Sequence, residues 1–144
     1  MQFLEKLKPL GLLVLRLAIG ASFIFHGYPK LNDPARWLKA FPGMGFPSYF
    51  AYISGILEVF GGGLLILGLL TRAAALLLAI EMALVLIRTR LPAVGIYAFG
   101  QYEVALILGA AALALATTGA SMISLDALTF ESARKGPRKS KGKN

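Results

Sequence analysis

Six ionisable residues stand inside long apolar runs: Arg16, His26, Glu58, Glu81, Arg88 and Glu103. Each ionised group at the centre of a bilayer costs about 2.5–3.5 kcal/mol on insertion scales, so residues kept at that cost normally face a packed interior and find partners. The chemistry open to them is proton exchange and hydrogen bonding. A buried carboxylate near a histidine is a tunable proton site. The same groups can hold the polar head of an otherwise apolar ligand, and a quinone fits that description. Its tail suits lipid, and its carbonyls need donors such as His26 or Arg88. The plainer reading is interhelical glue, since such contacts average only ~0.6 kcal/mol. Residue types alone do not choose between these uses, and no catalytic residue is assigned.

Other chemistry is excluded. The chain has no cysteine, hence no disulfide, thiolate metal site or dithiol relay of its own. His26 is the single histidine and cannot make a multi-histidine zinc or haem site unaided. Met1, Met44, Met82 and Met122 are scattered along the chain, so no metal site is expected.

The elements that must position these groups follow from composition. Of 144 residues, 57% are hydrophobic, with mean hydropathy +0.70; a soluble domain is roughly 45–50% apolar. Four runs, about 10–28, 50–70, 73–91 and 99–118, approach the roughly 20 residues a membrane-crossing helix needs. The expected fold is all-α: a transmembrane four-helix bundle over residues 1–128, followed by a basic tail at 129–144. Lys6 and Lys8 before an apolar stretch resemble a secretory signal. That stretch is too long, however, is interrupted by Arg16, and has no A-x-A site after it.

Boundary signals agree. Pro9 opens the first helix and Pro29 in "GYPK" is expected to close it. "LLTR" at 69–72 makes a tight turn, and Pro92 and Gly95 separate the last two helices. Asp33 can cap a short helix starting at Pro34, with Trp37, Leu38 and Phe41 on one face. This predicts a short interfacial helix in the first outer loop. Tyr28, Trp37, Tyr49 and Tyr52 crowd the same level, where aromatic rings favour the membrane surface.

Charge sets the expected orientation. Lys6, Lys8, Arg72 and the tail lie on one side; Lys30, Arg36, Lys39 and Arg90 lie on the other. The excess places both termini in the cytoplasm. The net charge is +8, and six of the fifteen basic residues are Arg134, Lys135, Arg138, Lys139, Lys141 and Lys143. That tail is expected to be disordered and to meet anionic lipid headgroups rather than nucleic acid.

Depth along the helices, at about 1.5 Å per residue, then brings residues together. His26, Glu58, Arg88 and Glu103 converge under the outer mouth with Lys30 above them, forming a candidate ligand-binding cluster. Arg16 and Glu81 lie deeper at matching levels, as a candidate buried ion pair. Arg16, Gly20, Phe23 and Gly27 form one stripe. The glycines at 61–63 make a small face that a neighbour can approach closely.

The runs "LRLAIGASFIFHGYPKL", "ISGILEVFGGGLLILGLLTRAAALLLAIEM" and "YEVALILGAAALALATTGASMISLD" resemble DoxX-type membrane proteins over most of residues 12–126. The matching positions are Arg16, His26, Gly27, Lys30, Glu58, Gly61, Gly62, Thr71, Arg72, Glu103, Ser124 and Asp126. Ser121 stands where the family often has the second glycine of G-x-G-x-x-S-x-D. The resemblance implies a four-helix membrane fold. Some members act in redox complexes, including thiosulfate:quinone oxidoreductase and an assembly linked to thiol stress. It therefore implies an accessory or quinone-interacting subunit in a bacterial or archaeal cytoplasmic membrane, partnered by lipid and by other subunits or a second copy. Electrons would come from another subunit or pass directly to a bound quinone. A small-molecule or proton-coupled transporter, with Glu81 and Glu58 at two levels of a polar path, and a structural anchor for a partner protein stay open beside it.

Overall fold

The structure, a computed structural model, describes residues 2–90, 99–120 and 124–128. In chain order these form α1 (Gln2–Lys6), α2 (Lys8–Asn32), α3 (Pro34–Gly43), α4 (Phe50–Leu67), α5 (Thr71–Val85), a π-helical continuation (Leu86–Arg90) and α6 (Phe99–Thr118). No strand occurs among the described residues. Two helices, α2 and α4, are long and apolar enough to cross a membrane, and Tyr102–Thr118 is a shorter apolar stretch. Pro92, Gly95, Ser121 and the whole basic tail lie outside the described residues.

Two boundaries differ from the sequence reading. Pro29 does not close α2, which runs on to Asn32. A proline inside a helix removes the bond its own N–H would make and crowds the carbonyl four residues back. Its carbonyl still accepts from the Asp33 N–H at 3.0 Å, and the packing of Gly27 and Lys30 against α4 outweighs the one lost bond. The run expected at 73–91 is α-helical, as α5, only to Val85 and then widens into the π turn. There the Thr89 hydroxyl donates to the Val85 carbonyl, satisfying an acceptor within the altered turn. By contrast α6 runs over the expected 99–118, and α3 starts at Pro34 with the Asp33 carboxylate accepting from the Arg36 N–H at 3.5 Å.

The helices pack α2 on α4, α4 on α5 and α5 on α6, and α6 returns to α2. Their shared core comprises Ile19, Phe23, Leu65, Leu78, Met82, Ala112 and Leu115 with the small residues Ala74 and Ala75. Buried with it are Arg16, Ser54, Glu58, Thr71 and Glu81, while Val14, Phe60, Leu77, Ile80 and Ile107 face outward. This inverts the usual arrangement of a water-soluble domain, in which charged groups are almost never fully buried.

The α2–α4 contact is made backbone to backbone. A Cβ on Gly20 would lie 2.6 Å from the Gly62 carbonyl oxygen, and one on Gly62 would lie 2.6 Å from the Gly20 oxygen. Seven residues along each helix, a Cβ on Gly27 would meet the Gly55 oxygen at 2.9 Å. Small residues at such crossings let helices approach where lipid supplies no hydrophobic drive. Gly20→Ala or Gly62→Ala forces this pair apart and is expected to lower stability by about 1–3 kcal/mol. Gly63, which has nothing within 4 Å of its Cβ position, should accept alanine without loss. Thermal unfolding of the three variants in detergent checks the contrast.

Candidate functional site

The antiparallel α2–α4 register puts α2's last turn beside α4's first half. There the Lys30 ammonium donates to the Ser54 hydroxyl at 2.7 Å and to Glu58 Oε2 at 2.5 Å. The pair is desolvated: the side chains are 12% and 2% exposed. Ser54 and Glu58 meet one lysine because positions four apart on a helix share a face. Gly27 makes the approach close, since a Cβ there would sit 2.7 Å from that of Glu58.

The pair opens onto a cavity of about 810 Å³ at the α3 end of the molecule. Lys30, Ser54 and Glu58 supply polar groups to its wall, and His26 and Arg88 line it as well; these last two are exposed. Trp37, Phe41, Met44 and Phe46, from α3 and the chain after it, cover one side, while Met82, Val85, Val104 and Leu108 form an apolar side. The cover is an aromatic chain. Trp37 meets Phe41 edge-on at 6.4 Å, Phe41 meets Phe46 at 6.2 Å, and Phe46 stacks on Phe50 at 5.2 Å. Phe41 is buried and Trp37 and Leu38 are half-buried, so the face foreseen for this helix is the one turned inward.

Of the five residues expected to form the outer cluster, the structure brings His26, Lys30, Glu58 and Arg88 to one cavity. Glu103 is half-buried on α6 and does not line it. Glu81 departs further from expectation. It is 6% exposed, and neither carboxylate oxygen has a hydrogen-bond partner among the described residues. It stands beside Ser54 within electrostatic reach of Glu58 and Lys30, so one lysine faces two buried carboxyl groups.

The Arg16–Glu81 ion pair is therefore not formed. Arg16, 1% exposed, instead donates from Nε to the Leu65 carbonyl at 2.9 Å and from Nη2 to the Ile66 carbonyl at 3.1 Å. The expectation failed on depth. Helix α2 begins well below the level at which α4 ends, so Arg16 meets α4's last turn instead of Glu81.

That turn end holds a set of polar contacts that spacing did not reveal. Gly68 adopts the left-handed conformation at φ 69°, and the Leu69 N–H returns to the Leu64 carbonyl at 3.0 Å, closing α4 in a Schellman-type cap. Leu70 also has positive φ, 49°, a conformation costing roughly 1–2 kcal/mol without glycine. Asp126 compensates by accepting from the Leu70 N–H at 2.7 Å and the Thr71 N–H at 3.0 Å, while its own N–H donates to Gly68 O at 2.9 Å. A cation thus caps the carbonyl end of α4 and an anion the amide end of α5, each matching the local helix dipole. Among the described residues, no three His, Asp or Glu side chains lie close enough to hold a metal ion.

Described residues that are helical throughout the ordered elements, with buried charge inside, apolar faces outside and a large, mostly apolar cavity, define a class of helical bundle, and comparison with known proteins places it. The DoxX family model matches residues 11–91. The chain is 30% identical over 129 residues to a Bacillus subtilis protein named "Putative oxidoreductase CatD", covering 88% of this chain and 92% of that one. It is 36% identical over 90 residues to an uncharacterized membrane protein of Mycobacterium tuberculosis, covering 59% of this chain and 54% of the other. It is 39% identical over 77 residues to the inner membrane protein YqjF of Escherichia coli, covering 53% and 58%. No solved structure matches. The chain belongs to the DoxX family.

Breaking a buried pair by removing one partner strands the other charge and costs about 3–5 kcal/mol, whereas replacing both with apolar groups is often near neutral. Glu58→Leu is expected to lower stability by about that amount. The double variant Lys30→Met/Glu58→Leu should recover most of the loss. Unfolding midpoints in detergent for the single and double variants measure it.

Proposed function

We propose that the chain is an integral membrane protein of four spans, with both termini on the cytoplasmic side, that holds a quinone-like ligand in the α3-end cavity as a membrane subunit of a redox complex. The membrane reading is supported by the apolar outward faces, by two helices of crossing length, and by relatives whose names place them in membranes. The π turn extends α5 to Arg90, which lengthens it toward a full crossing. The redox reading is supported by the Bacillus relative's name.

The observation that carries the ligand reading is that the Lys30–Glu58 pair is not sealed by side chains. It forms part of the wall of a cavity that is otherwise mostly apolar and aromatic. Ligand sites of this kind combine apolar walls with a few placed polar groups. An ammonium has three N–H groups; Ser54 and Glu58 take two, and the third can be aimed at a carbonyl oxygen. The flat faces of Trp37, Phe41 and Phe46 suit a planar ring. His26 and Arg88 supply further donors at the exposed rim. In this role the protein binds and orients the ring and shields it from water, while electrons arrive from a partner.

Trp37 is the only tryptophan and lines the cavity, so a bound quinone should quench intrinsic fluorescence. Titration of nanodisc-embedded protein with decyl-tailed benzoquinone is expected to give saturable quenching. The folded Lys30→Met/Glu58→Leu variant should bind at least about tenfold more weakly, the weight of a charge-assisted hydrogen bond. Quenching that never saturates, or that is identical in the variant, removes the ligand assignment.

A further inference from the structure

The α3-end cavity has an apolar neighbour. Met82 and Ala105 line it, and the same two residues line a second space of about 320 Å³ between α5 and α6. Every side chain around this second space is apolar. It follows α5 from Leu86 back to Leu76, about 15 Å at the helical rise. Ala79, Ala83, Gly109 and Ala110 keep it open. Gly109 cannot readily be larger, because a Cβ there would lie 3.0 Å from Met82 Cβ. Ala83 and Ala110 are exposed on the outward face, so the groove opens sideways where a bilayer's acyl chains would lie.

We propose that this groove takes the apolar chain of a ligand whose polar ring occupies the α3-end cavity, so that the site selects long-tailed over tail-less rings. The inference rests on the cavity reading above. Adjacency commits the groove to that occupant: the polar groups gather in the α3-end cavity, and across the shared Met82 and Ala105 lies a space lined by apolar side chains alone. A chain moving from lipid to an apolar groove gains little from the hydrophobic effect, because both surroundings are apolar. What it gains is close contact with fixed walls. The chain also holds the ring at the level of Lys30 and Ser54, and the sideways opening lets a tailed molecule enter without passing through water.

The test compares a side-chain-free methyl-methoxy-benzoquinone with its decyl derivative by Trp37 quenching in nanodiscs, with concentrations expressed per lipid. In the native sequence the decyl form is expected to bind about tenfold tighter. Ala83→Phe and Ala110→Phe, on different helices and both at outward positions, should each bring the decyl form down to the affinity of the tail-less ring and leave the tail-less affinity unchanged. Equal binding of the two quinones, or a decyl affinity untouched by either variant, overturns the groove while leaving the cavity assignment standing. Absence of saturable quenching by both quinones overturns both. A change of oligomeric mass in the phenylalanine variants, with decyl binding intact, assigns the groove to a second copy of the chain and overturns the proposal.

Discussion

The reciprocal contact of Gly20 and Gly62 is the constraint on which the rest is built. Two backbones touch there, each glycine within reach of the other's carbonyl, so the antiparallel register of α2 and α4 has almost no freedom to slide. Moving from that crossing toward α3, the same register sets Gly27 against Gly55 and Glu58 and then Lys30 against Ser54 and Glu58. Moving the other way it sets Arg16 against Leu65 and Ile66. A displacement of one residue would rotate the charged partners out of line, leaving Lys30 and Glu58 buried apart at several kcal/mol. The glycines carry no charge and bind nothing, yet they decide which charges meet.

At the other end of the molecule the problem is backbone, not side chain. Where water is scarce, the open amides and carbonyls of helix ends must be satisfied internally. The turn from α4 to α5 is tight enough that both ends fall together, and Arg16 and Asp126 each take one. Asp126 comes from beyond α6, 55 residues away from Thr71, so it ties the segment after α6 to the turn between α4 and α5. This is the physical link between an arginine in α2, an aspartate after α6 and the Gly68–Thr71 turn.

Much of the helical layout was legible in the sequence, because apolar runs bounded by breakers leave few alternatives. The helix at 99–118 and the capped helix at Pro34 follow directly from such signals. What failed were inferences that treated one residue as decisive or that measured depth from the ends of apolar runs. Pro29 is absorbed because tertiary contacts on both sides of it favour continuing. The π turn after Val85 has no sequence period to announce it. Arg16 and Glu81 were matched in depth by counting, but α2 overhangs α4, so the arginine lies at the turn and the glutamate joins the lysine level. Ser54 was legible as part of the Glu58 face, whereas its bond to Lys30 required knowing the helix register. The part played by Asp126 could not be seen from spacing, since nothing local links it to a turn so distant in the chain.

Pro29 has one further effect. Lacking an amide hydrogen, it leaves the carbonyl of Phe25 without the donor a regular helix would supply, and both residues border the α3-end cavity. The break in the helix's own bonding therefore falls at a turn that lines the cavity.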